Sequence, residues 1–361
     1  MKTAFSGKEC ASFFDSQFGE TPIMRFLPEQ GDLIVFDHNI WHSGAPLLAG
    51  EKVLLRSDLL YERMETFESK TIEVQPWTPS HLGYVWSLLK FKDLVLSSGR
   101  DCYIKAWTTD GKLKTQFKAA KQSTLAMLAM GDTLVSSSRD GTLKFWKYKG
   151  AQFHLQSSVH SQHLGVILSL AKFGNERFLS TGADGQMVLW DVTSQGHCNT
   201  WKLHTDWIWK VVLFCDTIVC TISEDGYTKI WKVGADFPEL LSEFWDAHPI
   251  TSCIYAKEAR RLFTGNNIGR IFCFHLDDKW KLTLQQSWQA HEAKVRSMVL
   301  LHGNVISGSE DNSIIQWDAH FERMRSFQHE NFVQSLLLLS DETLLSASYD
   351  GKIKHSCLSY T

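Results

Sequence analysis

Apolar residues in this chain come in short runs, rich in leucine and β-branched residues, that end at tight turns and resume as a second run closed by an aromatic side chain. Runs of that length bounded by turn residues predict β-hairpins rather than helices. One phrase recurs in phase. Leu94-Val-Leu-Ser-Ser-Gly-Arg-Asp101 leads to Trp107, Leu134-Val-Ser-Ser-Ser-Arg-Asp140 to Trp146, and Phe178-Leu-Ser-Thr-Gly-Ala-Asp184 to Trp190. Further copies run from Ile218 to Trp231, Leu262 to Phe274, Val305 to Trp317 and Leu344 to Ser356, the last with serine in the tryptophan position. Positions 107, 146, 190, 231, 274, 317 and 356 are spaced by 39, 44, 41, 43, 43 and 39 residues, the period of a four-stranded propeller blade.

Other positions keep the same phase. A histidine precedes the first strand of six repeats (His81, His160 or His163, His204, His248, His291, His329), and an aspartate sits in the turn of six (Asp101, Asp140, Asp184, Asp225, Asp311, Asp350). These features resemble the WD-repeat family over residues 71–361. The resemblance implies an all-β, seven-bladed WD-repeat β-propeller in which His, a strand Ser/Thr, the turn Asp and the Trp indole form a buried hydrogen-bonded chain in each blade. Repeat two has Lys121-Gln122 in place of the histidine, repeat five has Asn267 and Phe274, and repeat seven has Ser356, so their chains should be incomplete. Only five residues follow Ser356, too few for an outer strand. Thr71 to His81 parallels Lys281 to His291, so residues 71–76 are expected to supply the missing strand and close the ring.

Residues 1–63 lack the repeat, and 64–70 read as a linker. Gly31 to Phe36, His42-Ser-Gly44 and Gly50 to Tyr61 resemble the closing strands of the double-stranded β-helix, a partial jelly-roll segment, of Fe(II)/2-oxoglutarate dioxygenases of the prolyl-4-hydroxylase type. Gly19-Glu-Thr21 resembles the glycine turn before them. The resemblance implies His42 as an iron ligand and Lys52 as the anchor for the 2-oxoglutarate carboxylate. Strand alternation puts Arg56 on the same face as Lys52, as a second anchor. The family's other two ligands form an H-x-D pair upstream of the glycine turn, yet His38 is the first histidine here. One histidine does not hold iron. No cofactor is therefore expected for this segment, a truncated copy or a remnant, unless an upstream H-x-D is supplied.

Composition narrows the function further. A formal net charge of −3 gives no global attraction for nucleic acid. No apolar run approaches the roughly 20 residues of a spanning helix. No signal peptide is read at the N-terminus, and the 8 cysteines show no C-x-x-C pair, so a reduced, cytoplasmic location is expected, with the nucleus as the alternative. The recurrent Ser, His and Asp read as structural, because a catalytic triad is unique whereas this trio repeats. WD-repeat adaptors of cullin-type ligases often carry Trp-Asp-x-Arg; the quartets here, Trp190 to Thr193 and Trp317 to His320, lack the arginine.

The chain thus reads as a non-catalytic protein–protein interaction scaffold, with a dioxygenase fused to a substrate-targeting propeller as the alternative. In WD-repeat propellers partners meet the first strand just after the histidine and the residue before the turn Asp. Carried over, these positions are Tyr84, Trp86 and Arg100 in blade 1, Thr124, Ala126 and Arg139 in blade 2, and Ser252 in blade 5. They are Trp207, Trp209 and Glu224 in blade 4, Lys294, Arg296 and Glu310 in blade 6, and Phe332, Gln334 and Tyr349 in blade 7. Lys294, Arg296, Phe332, Tyr349, Tyr84, Trp86, Arg100 and Arg139 are expected to form one basic and aromatic arc suited to an acidic or phosphorylated peptide. The plainer alternative is that Trp86 and Trp209 only line the channel. Incubated with iron, ascorbate and 2-oxoglutarate, the purified chain is expected to release no succinate; turnover abolished by His42→Ala would establish the dioxygenase instead.

Overall fold

The computed structural model describes the strands at 11–14, 24–26 and 41–44, and residues 76–234 and 236–358. The chain divides into two compact units, Met1–Glu68 and Ser69–Thr361. In the first, Ala11–Phe14 lies between Met24–Phe26 and Trp41–Gly44, antiparallel to both. His42 sits in the last of these strands, its backbone opposite Phe13. The glycine turn at 19–21, the strands expected at 31–36 and 50–61, and Lys52 and Arg56 lie outside the described residues.

The second unit is a seven-bladed β-propeller of antiparallel meanders. Blade 1 runs from Val85–Phe91 to Leu113–Lys118, blade 2 from Thr124–Met130 to Gln152–His160, and blade 3 from Ile167–Phe173 to His197–Lys202. Blade 4 runs from Ile208–Cys215 to Glu239–Trp245, blade 5 from Ile250–Ala256 to Leu282–Gln289, and blade 6 from Val295–Leu301 to Arg323–Gln328. The described strands of blade 7 are Val333–Ser340, Thr343–Ser348 and Ile353–Cys357. Burial explains the sequence pattern strand by strand. Second strands such as Leu94–Gly99 and Ile218–Ser223 are buried along their whole length, because both faces are covered by neighbouring blades. Outer strands such as Leu113–Lys118 alternate between half-buried and exposed. A continuous apolar run therefore marks a second strand, and alternation marks an outer one.

Between blades the slot aromatics fill the core. Trp190 packs against Phe178 and the Phe145 side of blade 2, and Trp231 joins Leu189, Met187 and Trp201 of blade 3. The innermost strands are stitched together as well. The Leu336 N–H donates to Ser297 Oγ across blades 6 and 7 (3.1 Å), Leu88 to Ser335 across blades 7 and 1 (3.2 Å), and Val211 to Ser169 across blades 3 and 4 (3.3 Å). Thr251 Oγ1 donates to the Val295 carbonyl across blades 5 and 6 (2.7 Å).

The ring closes where the repeat pattern places the joint. The first strand of blade 7 packs on the first strand of blade 1. The Trp77 N–H donates to the Ile353 carbonyl (2.9 Å) and the His81 N–H to Gly351 (3.0 Å), just as His291 donates to Gly269 in blade 5 (3.0 Å). Gly351, at φ 81°, has no room for a side chain, since a Cβ would strike the His81 carbonyl. Trp77 is buried with Leu345, Ala347 and Ile353 of blade 7 and with Trp107 of blade 1, ring centres 5.6 Å apart. Residues 71–75 of the expected closing strand lie outside the described residues.

Two predictions follow from the closure. Removing residues 1–78 should expose the edge of blade 7 and cause aggregation, whereas removing 1–63 should be tolerated; equal behaviour in size-exclusion chromatography contradicts the closure. Trp77→Ala should cost about 3–5 kcal/mol in denaturant unfolding, the range for a buried aromatic.

Candidate functional site

Four blades hold the complete polar chain, built from three stretches of sequence. In blade 1, His81 meets Asp101 through Nδ1 (2.9 Å) and Ser97 Oγ through Nε2 (2.7 Å), and the Trp107 indole donates to the same hydroxyl (2.8 Å). Blade 3 repeats this with His163, Asp184, Ser180 and Trp190, which settles the choice between His160 and His163. Blade 4 does so with His204, Asp225, Thr221 and Trp231, and blade 6 with His291, Asp311, Ser307 and Trp317. In each the hydroxyl sits between two buried nitrogens and satisfies both. The four histidine side chains are fully buried. A hydroxyl engaged in this way does not face a substrate, so the recurrent trio is structural.

The other three blades depart from the pattern. Blade 2 keeps only the Trp146 to Ser136 bond (2.9 Å), and Asp140 turns to Thr142 instead (2.6 Å). In blade 7, His329 reaches Ser346 (2.7 Å) but stands 3.6 Å from Asp350, beyond hydrogen-bond reach. Blade 5 corrects the sequence reading. Asn267 does not act as the turn acceptor; the residue before it does. Asn266 Oδ1 accepts from the Ile268 and Arg270 N–H groups, and its amide donates to Asp246 (2.8 Å). His248 is only half-buried, 3.8 Å from Asp246, and takes no part in a buried chain.

A second recurrent contact escaped the sequence reading. The lysine two residues before the slot position donates from Nζ to a carbonyl ahead of the first strand of its own blade: Lys105 to Ser80 (2.7 Å), Lys144 to Ala119 (2.6 Å), Lys229 to Leu203 (3.2 Å) and Lys354 to Gln328 (3.2 Å). The signal was present as Lys-x-Trp in three repeats and Lys-x-Ser in the last.

The face that carries the turn aspartates is built from one repeated device. Every first strand has a register shift at the same point, as at Val85/Ser87, Ile208/Lys210 and Val295/Ser297. A bulge re-aims the skipped side chain, here Trp86, Leu125, Leu168, Trp209, Thr251, Arg296 and Gln334 around the ring. The residue before the turn position donates its N–H to the carbonyl just ahead of that strand: Arg100 to Tyr84, Arg139 to Ser123, Ala183 to Val166, Glu224 to Trp207, Asn267 to Pro249, Glu310 to Lys294 and Tyr349 to Phe332. Each blade thus presents three side chains to this face. In blade 2 these are Ser123, Leu125 and Arg139, one residue earlier than the expected Thr124 and Ala126, and in blade 5 Thr251 takes the place expected of Ser252.

The expected single arc is divided. Tyr84 stacks on Tyr349 (4.0 Å between ring centres), Trp86 meets both edge-on (5.6 Å each), Phe332 adjoins Tyr349 (5.3 Å) and the Arg100 guanidinium lies over Tyr84 (5.0 Å). Arg139 is exposed on the adjoining blade. Lys294 and Arg296 do not join this group. Both reach Trp209 of blade 4, at 5.3 and 5.6 Å from its ring centre. The small residues of blade 5 between them leave the way open.

Charges within the blades are tuned by these contacts. Burial works against the Asp311 carboxylate, yet the His291 and Ser313 bonds bring it down to about 2. Asp101, Asp184 and Asp225 are likewise held below the ordinary range by His81, His163 and His204, against burial. Burial lowers His204 and His329 in spite of their aspartates, which keeps those imidazoles neutral.

With this geometry in hand, comparison with known proteins is direct. The model described as WD domain, G-beta repeat matches residues 111–147, 155–191 and 282–318. Each window starts at or near an outer strand and ends within one or two residues of the end of the third strand of the next blade, so the sequence repeat is offset from the blade by one strand. An F-box/WD-40 repeat-containing protein of Arabidopsis thaliana is 28% identical over 63% of this chain and 44% of its own length. Striatin-3 of Bos taurus is 23% identical over 53% of this chain and 27% of its own. The chain therefore spans less than half the length of these relatives. The crystal structure of the computationally designed Ika8 protein shares the fold, with a TM-score of 0.61 at 21% identity over 78% of this chain and 98% of that one. Three stretches of the chain thus match WD40 repeats, and the described blades close into a seven-bladed propeller.

The sign of the pH response follows from the lowered histidines and aspartates. A depressed histidine contributes stability that is full above about 6.5 and is lost as pH falls through its folded value. The aspartates contribute above about 4 and lose it on further acidification, Asp311 as pH falls toward about 2. The melting temperature should therefore fall from pH 7 to 5 and again below 4. His204→Gln should be less stable at pH 7.5 but show a shallower fall from 7 to 5; an unchanged slope contradicts the assignment.

Proposed function

We propose that this propeller is a non-catalytic protein–protein interaction scaffold that receives an acidic or phosphorylated peptide on the face carrying the turn aspartates, at the junction of blades 7, 1 and 2. The observation that carries this reading is the division of labour within each blade. The conserved-phase Ser/Thr, His, Asp and Trp are consumed by the fold, while the three side chains aimed at the face differ from blade to blade. Rigid loops that vary freely on a fixed frame are what recognition requires. At this junction the variable positions supply aromatic side chains beside Arg100 and Arg139, pairing contact area with guanidinium groups that take carboxylate or phosphate in a bidentate fork. The relatives, an F-box/WD-40 repeat-containing protein and Striatin-3, are longer than the part of them that this chain matches. The cytoplasmic setting read from the cysteines belongs to the same proposal. The dioxygenase alternative draws no support from these relatives.

Affinity capture from the native source followed by mass spectrometry tests the site. Arg100→Glu with Arg139→Glu, or Trp86→Ala, should remove the captured proteins, a loss of roughly 2 kcal/mol or more of binding, with little change in melting temperature. Retention of every partner by those variants, with loss in Trp207→Ala, would move the site to blade 4.

A further inference from the structure

Opposite the aromatic stack, blades 4, 5 and 6 bring together charges that only partly satisfy one another. The Arg296 guanidinium is committed to Glu310, its Nε at 2.7 Å, and both side chains are largely buried. Glu224 is committed to Trp209, whose indole N–H donates to it at 2.6 Å. Lys294 is different. Its ammonium lies over the Trp209 ring at 5.3 Å, and among the described residues it forms neither an ion pair nor a side-chain hydrogen bond. Burial pushes this amine below its ordinary value and the neighbouring Arg296 charge adds to the effect, against the opposing pull of the Glu310 and Glu224 carboxylates. Blade 5, between these groups, contributes Asn267 at the position that Glu224 and Glu310 occupy in the flanking blades. The buried Asn267 Oδ1 has no hydrogen-bond partner among the described residues. Trp207 stands beside Trp209, ring centres 5.5 Å apart, and is 41% exposed.

A half-buried cation with no direct ion pair, its neighbouring carboxylates Glu310 and Glu224 being engaged by Arg296 and Trp209, and a buried acceptor without a donor are both costly unless a ligand completes them. We propose that this cluster is a second recognition subsite that takes a single acidic residue of a bound protein. Its carboxylate pairs with Lys294, a neighbouring backbone N–H donates to Asn267, and its aliphatic stem lies on Trp207. The subsite rests on the scaffold reading in having a peptide as occupant, but not on the blade 7–1–2 junction. A carboxylate fits better than a phosphate. One ammonium matches one negative charge, Arg296 is already paired, and a dianion would meet the carboxylates of Glu224 and Glu310. A lysine here acts as a point charge, and cation–π contact with Trp209 holds it in place.

Fluorescence polarisation with labelled Gly-Glu repeat peptide, and with Gly-Gln and Gly-phosphoserine repeats, tests the subsite. The full chain should bind Gly-Glu in preference to both others. Lys294→Met should weaken that binding about tenfold or more, as for a desolvated charge contact, while Lys294→Arg retains most of it. Glu224→Gln keeps an acceptor for the Trp209 indole and removes a competing carboxylate, so it should bind Gly-Glu more tightly, a gain that misfolding does not produce. In labelling with limiting acetic anhydride, Lys294 should be protected by Gly-Glu. Binding unchanged in Lys294→Met but lost in Arg100→Glu with Arg139→Glu would overturn the subsite and leave the scaffold reading standing. Tighter binding of the phosphoserine repeat through Lys294 would overturn the carboxylate assignment.

Discussion

Every blade of this molecule has two apolar faces, and only another blade can cover them. A β-sheet of four strands left alone would expose the second-strand residues that are buried along their whole length here, so the blades are stable only as a closed ring. The rest follows from that requirement. The slot tryptophans lie between sheets because that is where area must be filled, and their indole N–H groups then need a buried acceptor. The strand hydroxyl supplies it, the histidine orients the hydroxyl, and the turn aspartate orients the histidine. A polar chain is thus the consequence of burying tryptophan.

Closure also explains why the repeat in sequence and the blade in space are out of step. Each outer strand belongs to one blade in space and, in the matched windows, to the next repeat in sequence. The last repeat must then borrow from the first, and the bonds from Trp77 to Ile353 and from His81 to Gly351 are where that debt is met. Blade 7 has neither the tryptophan nor a full His329–Asp350 bond, yet it shares the Trp77 and Trp107 core, which compensates with apolar packing.

Much of this was legible along the chain because it depends on spacing. The turn aspartates, the slot residues and the joint at Trp77 recur at fixed intervals, and a four-stranded meander converts interval into position. What was not legible depends on reach. Asn266 caps the turn in place of an aspartate two residues further on, its Oδ1 accepting from both the Ile268 and Arg270 N–H groups. Lys294 and Arg296 leave their expected neighbours for Trp209 because Pro249, Thr251 and Asn267 are too small to stop them. The one-residue slip in blade 2 comes from a missing histidine, which removed the landmark from which the first strand was counted. Spacing says which blade a residue belongs to, but not which blade its side chain reaches.

The ring consumes its recurrent polar residues and leaves one face for recognition. Hydrogen–deuterium exchange of the full chain, with and without a captured native partner, measures this directly. Protection should appear at the face segments around residues 82–86, 99–102, 207–209, 292–296 and 347–350, and be absent from the outer strands. Protection confined to outer strands such as Glu239–Trp245 or Leu282–Gln289 would contradict it.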